Sequence, residues 1–273
     1  MYPELFKIGP LTVYSFGFMQ AIGAFGATII LYNVAKRKGL DIYYTLEVTL
    51  LAIISILVGG KLLFLIDNWD KFIQEPLSYL LNPNGSTFFG GFILGLIVLY
   101  IYLKMKKIPF LFAADTLPLP LSFIYASGRI GCHLAGDGDY GIPTSLPWGT
   151  NYENGTMPPS LMFRDTEIAQ SFPDGIVPDN TPLHPTSVYE AIAAGIIFFI
   201  LWKMSKKKWA YGRFFMLYLI LSSVSRFLVE FIRLNPRILL GFSEAQLIAF
   251  VLGTVGVIGF YKFSNRIKKN IVH

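Results

Sequence analysis

The chain has 273 residues, of which 53% are hydrophobic and only 15% charged, with a formal net charge of +6 and a mean hydropathy of +0.53. Soluble domains carry about 25% charged residues, so the deficit excludes an ordinary water-solvated domain and makes lipid the expected solvent for most of the surface. The single cysteine, Cys132, excludes an internal disulfide.

Met1 to Pro10 has neither a basic cluster nor a short apolar stretch with a cleavage site, and no cleaved leader is expected. A spanning helix needs about 20 mostly apolar residues. Seven segments come close: 11–35, 46–66, 88–103, 110–127, 187–204, 214–231 and 239–263. The third and fourth are short, which leaves room for a tilted, broken or re-entrant course. The expected fold is all-α, a polytopic transmembrane bundle of about seven spans forming one domain over 1–273. A Gly/Pro/Asn/Asp-rich stretch at about 128–186 is expected to form a loop or cap outside the membrane.

Basic residues sort onto one side of this layout. Lys36, Arg37 and Lys38 follow the first span, and Lys104, Lys106 and Lys107 the third. Lys203, Lys206, Lys207 and Lys208 follow the fifth, and Lys262, Arg266, Lys268 and Lys269 the seventh. Basic loops stay cytoplasmic, which predicts an N-terminus outside and a C-terminus inside. The net positive charge therefore needs no nucleic-acid partner. The long loop on the outer side carries Asp137, Asp139, Glu153, Asp165, Glu167, Asp174 and Asp179.

Lys61, Asp115, Glu190, Arg226 and Glu230 fall within or at the edges of apolar spans, with Arg233 at the outer end of the sixth. A charge at the bilayer centre costs at least about 2.5–3.5 kcal/mol, so each is expected to face a partner or a wet cavity. Arg226, Glu230 and Arg233 are spaced i, i+4, i+7 and share one helix face. Two readings stand: a structural ion pair between helices, or an anion site in which Glu230 holds an arginine whose guanidinium fork matches a phosphate.

The segment from Gly128 to Gly141 combines Arg129, His133, Asp137 and Asp139 with glycines that permit tight turns. It reads as a polar membrane-exit turn or as a site. Its Asp-Gly-Asp pattern does not have the spacing of an EF-hand calcium loop. In the segment from His184 to Glu190, Pro185 suits a helix start and Thr186 or Ser187 a cap. There His184 is either structural or catalytic. With no Walker loop, Cys/His metal cluster or Gly-x-Ser-x-Gly elbow, neither metal nor cofactor is expected.

In order along the chain, these segments resemble the bacterial prolipoprotein diacylglyceryl transferase family. Ile8-Gly9-Pro10 with Phe16-Gly17-Phe18-Met19 resembles its first span, and Gly59-Gly60-Lys61 a Gly-Gly-Arg segment. Gly90-Gly91 resembles the end of a His-Gly-Gly motif, and Asp115 with Pro118 the entrance to the fourth span. Gly128-Arg129-Ile130-Gly131 with Gly136-Asp137 and Gly141 resembles the family signature Gly-Arg-x-Gly-Asn-x-x-Asn-Gly-Glu. His184-Pro185 with Tyr189-Glu190 and Arg226-Phe227 with Glu230-Phe231 and Arg233 complete the set. The departures are Phe89 for the motif histidine, Cys132 for a signature asparagine, Ala135 for a second, Phe16 and Ser222 for tyrosines, and one extra residue before Gly141.

The resemblance implies transfer of a diacylglyceryl group from phosphatidylglycerol, or a related phospholipid, to the cysteine thiol of a prolipoprotein signal segment, with release of glycerol phosphate. It implies a multi-pass protein of the bacterial cytoplasmic membrane with its site near the outer face. Arg129 and Arg226 would bind the phosphate, Glu230 would orient Arg226, and Asp137 would orient Arg129 or a headgroup hydroxyl. Arg233, Gly90, Gly91, Gly141, His184, Tyr189 and Glu190 would complete the headgroup site. Phe89 cannot take a proton, so the base falls to His133, with His184 second. Two other readings are a relative that moves a lipid group to a different acceptor, and a non-catalytic lipid-binding protein or transporter. The paired broken helices of transporters are not evident in the sequence.

Overall fold

A computed structural model gives the fold of residues 1–9, 11–82 and 85–264. Pro10 of the first-span motif and the basic residues Arg266, Lys268 and Lys269 lie outside the described residues. Among those described, five helices are long and apolar enough to cross a membrane, and a sixth, shorter apolar helix joins them. The all-α membrane class holds. The chain divides into two units, Met1–Ile29 with Leu117–His273, and Ile30–Thr116.

The first span begins later than hydropathy alone suggests. Strands β1 (Glu4–Ile8) and β2 (Leu11–Tyr14) pair antiparallel, Lys7 opposite Thr12, before helix α1 (Ser15–Arg37) begins. Gly9, at φ +58°, supplies a turn conformation that other residues resist. The hairpin is tied down by the Tyr2 N–H donating to the Leu134 carbonyl (2.8 Å) and the Ser15 N–H to that of Pro3 (2.9 Å).

In the unit Ile30–Thr116, helix α2 (Ile42–Asp67) is capped by Asp41, whose carboxylate accepts from the Tyr44 N–H at 3.1 Å. Short helices α3 (Trp69–Gln74) and α4 (Pro76–Leu81) follow, then α5 (Phe88–Met105) and α6 (Phe110–Ala114). Ile53, Ile54, Ile56 and Leu57 on α2 stay exposed, as lipid-facing residues do. Helices α2 and α5 touch through glycines. A Cβ on Gly90 would fall 2.2 Å from the Gly59 carbonyl oxygen, and one on Gly91 would fall 2.9 Å from the Ile56 Cα. Apolar burial does not drive helices together in lipid, so association rests on such close backbone approach.

The expected fourth span is broken. Pro118 has no N–H and cannot continue a helix, so α6 ends at Ala114 and α7 (Pro118–Ala135) starts afresh with Pro118 in its first turn. Gly136, left-handed at φ +60°, ends α7 with its N–H on the Cys132 carbonyl at 2.9 Å.

The unit Met1–Ile29 with Leu117–His273 packs α7 against α10 (Thr186–Met204), α10 against α11 (Arg213–Val229) and α11 against α12 (Glu244–Ser264). Between α7 and α10, short helices α8 (Pro159–Met162) and α9 (Glu167–Gln170) belong to a loop region built on Tyr140, Tyr152, Phe163, Ala169, Val177 and Leu183. A 3-10 turn, Glu230–Ile232, ends the sixth span, and a hairpin of β3 (Arg237–Leu239) and β4 (Phe242–Ser243) leads into α12. The seventh expected span, 239–263, thus loses its first residues to that hairpin. Leu240 and Gly241 both have positive φ, 50° and 76°, which a two-residue hairpin turn demands.

Replacing Gly90 by Val is expected to cost about 1–3 kcal/mol of stability by forcing α2 and α5 apart. Gly95→Ala, where the nearest atom is Ser55 Cβ at 3.7 Å, is expected to stay within about 0.5 kcal/mol of wild type. Thermal melting of the detergent-solubilised protein checks this, and equal melting of the two variants would show that the glycine contact is not what joins the helices.

Candidate active site

Three helix ends of one unit meet where the apolar spans give way to loops. Arg129 lies in the second half of α7, Glu190 in the first turns of α10, and Arg226 at the end of α11, followed by Glu230 and Arg233. Glu190 is the hub, with its side chain only 1% exposed. Its Oε2 lies 3.1 Å from Arg129 Nε and 3.3 Å from Arg233 Nη1, and its Oε1 pairs with Arg226 Nη1. The Tyr125 hydroxyl donates to the same Oε1 at 2.8 Å, and the Tyr125 ring lies under the Arg129 guanidinium, 4.9 Å from centroid to Cζ.

Two further carboxylates complete the cluster. Glu230 Oε2 lies 3.0 Å from Arg226 Nη2 and 3.7 Å from Arg233 Nε. Asp139 pairs with both Arg129 Nη1 and Arg233 Nη2. Three guanidiniums are thus balanced by three carboxylates. The spacing i, i+4, i+7 does bring Arg226, Glu230 and Arg233 onto one face, and the ion-pair reading of that face is realised. A shared cluster of three arginines also has the donor chemistry of a phosphate site.

The supports of the cluster come from segments without obvious motif character. Asn235 Nδ2 and Ser243 Oγ donate to Glu230 Oε1, the latter at 2.9 Å. Arg237, from the β3–β4 hairpin, donates to the Glu230 carbonyl (2.9 Å) and to Gln246 Oε1 (2.7 Å). The buried hydroxyls of Thr186 and Ser187, expected as helix caps, donate instead to the Asp139 carbonyl, both at 2.7 Å. They fix the backbone of the Gly-rich loop against the start of α10.

The other expected residues are dispersed. Asp137 is next to the cluster, but its carboxylate accepts from the Asp139 N–H (3.3 Å), and the loop acid that pairs with Arg129 alongside Glu190 is Asp139. Burial holds the Asp137 carboxyl above the usual carboxylate range. At Asp139 burial acts in the same direction, but Arg233 and Arg129 outweigh it and hold the carboxyl below that range. His133 Nδ1 lies 3.1 Å from the Tyr152 hydroxyl, at the aromatic core of the loop region. His184 Nδ1 lies 3.2 Å from the Tyr189 hydroxyl, which also accepts from Trp148 Nε1 at 2.8 Å.

Gly141 is a backbone junction. Its N–H donates to the His184 carbonyl (2.9 Å), and a Cβ there would fall 2.3 Å from the Ile232 carbonyl oxygen. Gly90 and Gly91 belong to the α2–α5 contact of the other unit. Sequence reasoning missed Tyr125, and of the two loop acids it chose Asp137 over Asp139. The signal for Tyr125 was its spacing, one turn before Arg129 on the same helix face.

Removing the hub tests the cluster. Glu190→Ala leaves three buried or half-buried guanidiniums short of a partner, and loss of one member of a buried pair costs about 3–5 kcal/mol. The variant is expected to melt well below wild type in detergent, with Glu190→Gln falling between. A melting temperature unchanged by Glu190→Ala would mean that the guanidiniums do not depend on it.

A family model described as prolipoprotein diacylglyceryl transferase matches residues 3–262. The chain is 35% identical over 238 residues to the phosphatidylglycerol–prolipoprotein diacylglyceryl transferase of Clostridium tetani, covering 87% of each chain. It is 31% identical over 258 residues to the second such transferase of Clostridium perfringens, covering 92% of this chain and 91% of that one. To the transferase of Clostridioides difficile it is 29% identical over 268 residues, 97% of each.

Proposed function

The chain belongs to the prolipoprotein diacylglyceryl transferase family, and from that membership we propose how its arginine cluster carries out the reaction. It is a bacterial multi-pass membrane enzyme that moves a diacylglyceryl group from phosphatidylglycerol to a prolipoprotein. In our reading the acceptor is the cysteine thiol of the signal segment. The thiolate attacks the glyceryl carbon that carries the phosphate oxygen. A C–S bond forms, the C–O bond breaks, and glycerol phosphate leaves with one more negative charge than the diester had.

Charge that develops at the phosphate is where fixed cations help most. The single observation that carries the reading is that Arg129 and Arg226, from different helices, converge on the two oxygens of one buried carboxylate. Guanidiniums held that close to each other can share one phosphate. Glu190 and Glu230 fix their positions, so no reorganisation is needed as the charge grows. Arg233 extends the cationic surface. Tyr189, His184 and Gly141 shape the loop above it.

The basic residues in the last turns of α1, α5, α10 and α12 support an orientation with those ends cytoplasmic and the N-terminus outside. The arginine cluster, at the opposite ends of α10 and α11, then lies near the outer face of the cytoplasmic membrane. There the acyl chains of the donor stay in lipid while its headgroup reaches the cluster.

Arg129→Ala and Arg226→Ala are each expected to lower thioether formation at least about 100-fold, the usual loss when a charge-stabilising donor is removed. The assay is labelled phosphatidylglycerol with a lipobox peptide in membranes, with melting measured alongside. Near-wild-type turnover by either folded variant would remove that arginine from the phosphate site.

A further inference from the structure

We propose that the lipid phosphate displaces the Asp139 carboxylate from Arg129 and Arg233, and that the released carboxylate then accepts the proton of the acceptor thiol. The inference rests on the transferase reading above and gives it a base, which Phe89 cannot supply.

The three carboxylates of the cluster are not equivalent. The Glu190 and Glu230 side chains are 1% and 0% exposed, whereas that of Asp139 is 30% exposed. The glutamates rise from helix ends and are held by Tyr125, Asn235 and Ser243 as well as by arginine. Among the described residues the Asp139 carboxylate forms ion pairs with Arg129 and Arg233 alone, and its other side-chain partner is the neutral thiol of Cys132. An anion arriving from solvent or from the membrane surface therefore meets Asp139 first and competes with it for two guanidinium forks.

The exchange needs no movement of the main chain. Thr186 and Ser187 pin the Asp139 carbonyl, so only side-chain rotation is required. One carboxylate replaced by one phosphodiester monoanion keeps three negative charges against three arginines.

Once displaced, the carboxylate has lost the two cations that held its pKa down. Burial, the largest opposing influence, is then set only against the hydrogen bond from Cys132, and the proton affinity of the carboxylate rises. The titratable groups facing it are Arg129 and Cys132 from α7, Asp137 from its own loop, and Arg233 from the turn after α11, with Glu190 and Glu230 behind the arginines. Its neighbour Asp137 lies with it and Cys132 inside one cluster whose ligand atoms are within 4.8 Å of each other. A second carboxylate at that distance further favours the protonated form.

The charges balance through the reaction. The S–H proton passes to Asp139, which becomes neutral, and the thiolate forms the C–S bond. The C–O electron pair goes to the phosphate oxygen, which gains one negative charge as Asp139 loses one. The proton later passes to the departing phosphomonoester or to water.

The test compares wild type with Asp139→Asn, Asp139→Glu and His133→Gln, as full-length protein in membranes, with phosphatidylglycerol and a lipobox peptide between pH 6.5 and pH 9. A lost general base costs about 100-fold or more, and a free thiol ionises near pH 8.5. Asp139→Asn is therefore expected to lose about 100-fold in kcat at pH 7, and the deficit should shrink more than tenfold by pH 9, where solution chemistry supplies thiolate. Because the competing carboxylate is gone, its KM for phosphatidylglycerol should be equal to or below that of wild type. Asp139→Glu, which keeps a carboxylate, should retain the flat wild-type profile at reduced rate.

A deficit independent of pH, a raised KM for phosphatidylglycerol, or a pH-dependent deficit in His133→Gln instead of Asp139→Asn would overturn the proposal. If Asp139→Asn fails to fold, a sloped profile for Asp139→Glu would overturn it and a flat one would support it. Wild-type enzyme that makes no thioether product at any pH would overturn the transferase reading itself, a separate failure visible before any variant is measured.

Discussion

A carboxylate sealed from water between three guanidiniums sets the rest of this molecule. Taking Glu190 out of water costs several kcal/mol, which only well-placed partners return. It has four: Arg129, Arg226, Arg233 and the Tyr125 hydroxyl. Those partners come from α7, α11 and the turn after α11, so satisfying one side chain fixes how three segments meet. An apolar core could hold helices together in many registers, whereas a planar carboxylate with two oxygens accepts only a narrow set of donor positions. The bundle end is therefore specified by electrostatics, and its apolar flanks are free to vary with the lipid around them.

Rigidity is passed outward from that hub in layers. Glu230 cannot turn, because Asn235 and Ser243 hold one oxygen while Arg226 and Arg233 face the other. Ser243 is in turn fixed by Gln246, whose Oε1 accepts from the Ser243 N–H (3.1 Å) and from Arg237. The β3–β4 hairpin thus serves as a brace between the end of α11 and the start of α12. This explains why a hairpin, apolar apart from Arg237 and Ser243, occupies a position where hydropathy alone would begin the apolar span. The cost of the brace is a strained Leu240 at φ +50°, a conformation that non-glycine residues seldom adopt.

The sequence made the helical class, the apolar spans and the arginine cluster legible because each leaves a local mark. Spans leave long apolar runs, basic ends leave charge clusters, and Arg226, Glu230 and Arg233 leave a helical period. What stayed hidden depends on distance in the chain. Nothing near Asp139 announces that its carboxylate closes a bridge to Arg233, 94 residues away. The extra residue before Gly141 was visible, but only the folded loop shows that it carries Asp139 to the arginines and leaves Asp137 beside them. The hairpins were hidden for a different reason: Thr12, Val13 and Tyr14 are as apolar on average as a helix start, and a hydropathy window cannot tell two strands from a span's first turns. The break before Pro118 rests on a local fact, a proline's missing N–H, yet the expected span at 110–127 ran through it.

The same contrast between local and distant constraints separates the acids of the site by function. A glutamate at a helix end, buried and held by several donors, is fixed in place and suited to positioning. An aspartate on a loop between Gly138 and Tyr140, with its carbonyl pinned but its carboxylate partly in water, is the acid we propose to rotate away when the phosphate arrives. In the proposed role of accepting a lipid phosphate, the cluster cannot have all its counter-anions locked, or binding would compete against the whole network at once. Nor can it leave its arginines unpaired in a nearly dry bundle end, where their mutual repulsion would push the helices apart. One exchangeable carboxylate among three meets both conditions, and the exposures of Asp139, Glu190 and Glu230 follow that division.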